Sequence, residues 1–94
     1  VTTNERYTSV WDAIEGRPAE AENMKLRSEL MIALKQRIAQ LELSQAQAAR
    51  RLGVTQPRVS DLLRGKINLF GLDALVNMAA AVGLRVDLQV RESA

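Results

Sequence analysis

Residues 45–64 read QAQAARRLGVTQPRVSDLLR, and the fold turns on how this block divides. Ser44 precedes it and forms an S-x-x-Q pattern with Gln47, the signature of a capping box that starts a helix. Gly53 tolerates positive φ and ends that helix. Thr55 caps a second helix, with Pro57 in its first turn, where a missing N–H does no harm. Gly65 ends it. Two helices joined this tightly need a small residue at their crossing, and Ala49 supplies it. Ala48, Leu52, Val54, Val59 and Leu62 fall on the inner faces. Thr55, Gln56, Arg58 and Ser60 leave the start of the second helix polar.

Outward from this block, Met24, Met31, Leu34, Ile38 and Leu41 recur at spacings of three, four and seven. That spacing makes one apolar stripe on a helix expected from about Pro18 to Leu41. Glu20 and Glu22 suit its positive dipole end. Upstream, Ser9 can cap a short helical turn through Val10 to Ile14, stopped by Gly16. Downstream, a loop runs through Asn68 and Phe70. Leu72 to Val82 then reads as another core helix, with Leu72, Leu75, Val76, Ala79 and Val82 facing in, and Gly83 stops it. From Leu84 the period changes to two. Leu84, Val86, Leu88 and Val90 alternate with Arg85, Asp87, Gln89 and Arg91, which predicts a half-buried strand over 84–91. The expected fold class is therefore all-α: a bundle of about five helices with a C-terminal β-strand pairing across a dimer. The expected organisation is an N-terminal arm over 1–17, a helical domain over 18–83, and a dimerising strand and tail over 84–94.

Composition bounds the chemistry. Ninety-four residues with 47% apolar and 26% charged side chains suit one soluble domain. No cysteine and no histidine occur, so disulfides, thiolate metal sites and the usual general base are absent. Carboxylates do not cluster and no glycine loop cradles phosphate, so no catalytic constellation, metal site or cofactor is expected. No apolar run reaches the length of a membrane span, and no signal peptide opens the chain, so a cytoplasmic protein is the expectation. Charge is unevenly spread. Residues 1–24 hold five acids against two bases, a balance of −3, whereas residues 44–68 hold five bases against one acid, a balance of +4. A basic middle suits a phosphate-binding surface or a solvated helix face.

The combination of Ala49, Gly53, Val54, Val59 and Leu62, with caps at Ser44 and Thr55, resembles the helix-turn-helix of phage-repressor-like proteins of the Xre type. The fragments RGKINLFGLDALVNMAAAVGLRV and VWDAIEGRPAEAENMKLRSEL are similar to the flanks seen in HigA-type antitoxins, extending the resemblance over about residues 9–92. HigA-type proteins are regulators encoded beside RelE-like ribonuclease toxins. The resemblance implies double-stranded DNA with two-fold half-sites, a second copy of the chain, and a RelE-like toxin as partners. It also implies repression of the chain's own operon.

Roles follow by position. Gln56 can pair bidentately with adenine, and Arg58 can reach guanine or a phosphate. Ser60 and Asp61 follow on the same helix. Asp61 either accepts from a cytosine amino group or pairs with a nearby Arg, and the ion pair is favoured. Pro57 departs from the family pattern; its ring could pack on a thymine methyl or simply start the helix. Ser44, Gln45, Thr55, Arg64, Lys66 and Asn68 are expected at phosphates. Leu84, Val86, Leu88 and Val90 are expected at the dimer contact. A competing strand partner is Arg6 to Val10. The acidic N-terminal segment, with Trp11, Ile14 and Ala19, could hold a basic toxin or merely cover the end of the core. Two other readings stand: a stand-alone phage or plasmid repressor, and an interaction adaptor without DNA binding.

Overall fold

A computed structural model describes residues 18–92. Its elements are α1 (Pro18–Gln40), α2 (Gln45–Leu52), α3 (Gln56–Leu63), a 3-10 turn (Ile67–Leu69) and α4 (Leu72–Ala81). The expected helical turn at Val10–Ile14, the alternative strand at Arg6–Val10, and Trp11 all lie outside the described residues.

The long helix α1 is the spine. Its stripe buries Met31, Leu34 and Ile38, while Met24 and Leu41 are half-buried at the margins. It packs chiefly along α4. At its end Glu42 adopts the left-handed conformation, φ 54°, and the Leu43 N–H closes back on Ile38 O at 3.2 Å. This reverses the chain into α2. Arg37, in the last turn of α1, donates from Nε to Val82 O at 2.9 Å and ties the spine to the end of α4.

The two short helices are closed as their residues predict. The Ser44 Oγ accepts from Gln47 N at 3.1 Å, and Ser44 N donates to Gln47 Oε1 at 2.8 Å, completing the capping box. Gly53 has φ 72°, and Val54 N donates to Ala49 O at 3.0 Å across the helix end. Ala48, Ala49, Leu52, Val59 and Leu62 are buried in one core with Phe70, Leu75, Met78, Ala79 and Val82. Val54 is half-buried against it.

Three expectations need correction. Four α-helices and no strand occur among the described residues, rather than about five helices with a C-terminal strand. Residues 84–92 carry no regular structure. Leu84 still packs on the core, its N–H bonded to Ala79 O at 2.9 Å, but Val86, Leu88 and Val90 are 45%, 79% and 83% exposed. Alternation is a pattern of side chains; a ladder also needs a second backbone alongside, and none of the described residues offers one. On the inward face of α4, Met78 takes the place expected for Val76. Leu75, Met78, Ala79 and Val82 make the buried row, Leu72 is half-buried, and Val76 is 38% exposed. Val76 lies about 100° around the helix from Leu75, which carries it out of the core.

Candidate nucleic-acid interface

Helix α3 is held from beneath by Val59 and Leu62, both fully buried. At about 100° per residue, the opposite side of the helix carries Pro57, Ser60, Asp61 and Arg64, with Gln56 at its leading edge. Gln56, Pro57 and Arg64 are exposed, and Ser60 and Asp61 are half-buried. The helix is capped by Thr55, whose Oγ1 accepts from Arg58 N at 3.3 Å. Pro57 therefore stands where its absent N–H leaves nothing unbonded. The N-terminal turn is a small polar platform on an apolar footing.

Arg58 is placed differently from the other candidates for base reading. It sits on the flank of α3, about 110° around the helix from the middle of the outward side and about 70° from the middle of the buried row. Its Nη1 donates to Leu69 O at 2.7 Å, and its guanidinium lies 4.1 Å from the centroid of the Phe70 ring. Asp61 is ion-paired, with Lys66 Nζ at 3.5 Å, so the pair forms with a lysine rather than an arginine. Both members are partly solvated, so the pair is weak and Lys66 remains able to exchange it for a phosphate.

The candidate phosphate contacts fall into two groups. Ser44 and Gln45 stand exposed at the start of α2, and Thr55 at the start of α3. Arg64, Lys66 and Asn68 stand exposed on the segment that follows α3. The last turn of α2 adds Arg50 and Arg51, also exposed. Cations thus flank the polar turn of α3, and Asp61, the one acid in this stretch of sequence, is neutralised within the chain.

Two contributors were not legible beforehand. Arg27 reaches from α1 and donates from Nη1 to Ile67 O at 3.2 Å, bracing the turn that carries Asn68. Phe70, in the loop as expected, is buried and forms a platform under Arg58. Neither is marked in sequence, because the partners lie 40 and 12 positions away.

Two short capped helices in contact, the first with buried alanines and the second with a polar first turn, define the motif. The helix-turn-helix domain family matches residues 15–91, more than half the chain. The chain belongs to that family. A solved structure assigned to the XRE family of transcriptional regulators matches at 35% identity and a TM-score of 0.73, covering 79% of this chain and 83% of that one. No curated protein matches the sequence. In this helix-turn-helix protein α2 is the supporting helix and α3 takes the place of the recognition helix. No helix among the described residues is long and apolar enough to cross a membrane.

Proposed function

We propose that this helix-turn-helix regulator is a sequence-specific repressor that sets α3 in the major groove. The observation that supports it is the seating of α3: Val59 and Leu62 bury one side while Gln56, Pro57 and Ser60 stand outward between cationic flanks. In this reading Gln56 reads adenine, Ser60 and the ring of Pro57 approach neighbouring base edges, and the Asp61–Lys66 pair closes the platform. Ser44, Gln45, Thr55, Arg64, Lys66 and Asn68 anchor on phosphate oxygens. Ser44, Gln45 and Thr55 precede the body of α3 in sequence and Arg64, Lys66 and Asn68 follow it, and all six are exposed.

One recognition helix covers half of a typical site, so the chain acts as a homodimer on two half-sites. Leu84, Val86, Leu88 and Val90 belong to the dimer contact in this reading. Val86 and Leu88 border an apolar groove with Leu26 and Leu30 of α1 and Val76 of α4, and such a contiguous patch favours a protein partner over water.

The likeness of the flanking segments to HigA-type antitoxins supports a further step: the repressor neutralises a RelE-like ribonuclease encoded beside it and controls its own operon. Selection of duplexes from a randomised pool by the purified chain tests the DNA reading, and recovery of one two-fold symmetric consensus is expected. Co-expression with the adjacent reading frame tests the antitoxin reading. A stoichiometric small basic partner is expected; its absence, with promoter binding intact, leaves a stand-alone repressor.

A further inference from the structure

Arg58 lies in the first turn of α3, yet its side chain leaves the helix sideways. Its Nη1 is bonded to Leu69 O at 2.7 Å, and the guanidinium is stacked 4.1 Å from the Phe70 centroid. Phe70 is 1% exposed, so the ring is a fixed surface and the arginine closes it from the solvent side. Reaching a base edge would abandon a charge-assisted hydrogen bond and a cation–π contact together.

The segment that Arg58 holds is short. The 3-10 turn Ile67–Leu69 is only three residues long, a length at which its own hydrogen bonds confer little rigidity. Its position comes from outside ties. Lys66 N donates to Asp61 O at 3.1 Å and Lys66 Nζ pairs with the Asp61 carboxylate at 3.5 Å. Arg27 Nη1 donates to Ile67 O at 3.2 Å. The Arg58 bond fastens the far end, at Leu69. Asn68 lies between these ties and is exposed.

We infer that Arg58 is a positioning residue rather than a base reader. It braces the first turn of α3 against the turn that follows the helix, so that Gln56 and the Lys66–Asn68 segment meet DNA in one fixed register. This rests on the DNA-binding reading above. The planar guanidinium suits the role, because lysine can keep the bond to Leu69 O but cannot stack as a plane on Phe70.

The test uses the duplex that the wild-type chain selects from a randomised pool, and every single base-pair change in it. Arg58→Met and Arg58→Lys are each measured alone and combined with Asn68→Ala, and with Gln45→Ala as a remote control. Arg58→Met weakens binding about tenfold for all duplexes alike, and the effect of Asn68→Ala shrinks in its background while that of Gln45→Ala is unchanged. Arg58→Lys recovers part of the loss, and if Arg58→Met does not fold it carries the same cycle alone. Loss of preference at one base pair overturns the inference in favour of base reading. Full additivity with Asn68→Ala, together with a flatter salt dependence, overturns it in favour of an independent phosphate contact. A wild-type chain that selects no duplex overturns the DNA-binding reading itself, before any variant is compared.

Discussion

At the scale of single residues, the interface divides into side chains that face outward and side chains that hold others in place. Gln56 is exposed at the leading edge of α3 and has the donor–acceptor pair that adenine's major-groove edge requires. Gln56→Ala is expected to cost about 1–3 kcal/mol in binding and to relax preference at a single base pair, read by binding to a panel of point-substituted duplexes. Lys66 differs in kind. Its ammonium is half-exposed and only loosely held by Asp61, so it can exchange that pair for a phosphate. Lys66→Ala should weaken binding evenly across sequences and reduce the slope of log affinity against log salt by about one. A sequence-selective loss for Lys66→Ala would reverse these two assignments.

At the scale of elements, the short helices α2 and α3 depend on their ends. Eight residues are too few to form a stable helix alone in water, so caps and burial carry them. Gly53 shows where the requirement lies. A Cβ built there meets nothing within 4 Å, so space is not the constraint; φ of 72° is. Gly53→Ala should therefore destabilise the fold by about 1 kcal/mol through backbone strain alone, seen as a lower denaturation midpoint with an unchanged m-value. Glu42 presents the converse case. It is exposed, it holds φ of 54° without being glycine, and Glu42→Gly should be neutral or stabilising by up to about 1 kcal/mol in the same measurement. Both effects act on the turns that enter and leave α2, and through them on the angle at which α3 is presented.

At the scale of the whole molecule, a groove between α1, α4 and the C-terminal segment is a feature the core does not explain. It encloses about 320 Å³ and is bordered by Leu26, Leu30, Val76, Val86 and Leu88. Leu88 at 79% exposure and Val90 at 83% are large apolar side chains left in water. Under the dimer proposal, Leu88→Ser combined with Val90→Ser shifts the chain toward monomer at micromolar concentration in sedimentation equilibrium. Helical content should hardly change, since neither side chain belongs to the core. A wild-type chain that is already monomeric under those conditions would remove the proposal.

The sequence alone determined the helix-turn-helix, because that motif is written in neighbours. Ser44 with Gln47, Gly53, Thr55 and Pro57 act on backbone within a few positions, and the apolar rows of α1 and α3 follow from helical period. Asp61 with Lys66 was half legible for the same reason: five residues apart at a helix end, the acid found a cation, though a lysine instead of an arginine. Only the tertiary structure decided the rest. Whether Arg58 points at solvent or at Phe70 depends on a ring twelve positions away, delivered by a turn that Arg27 of α1 holds from forty positions away. Whether alternation at Leu84–Val90 becomes a strand depends on a neighbouring backbone, and no side-chain pattern supplies one. Local bonds are encoded by local residues; a side chain's direction and a strand's partner are set by what packing brings alongside.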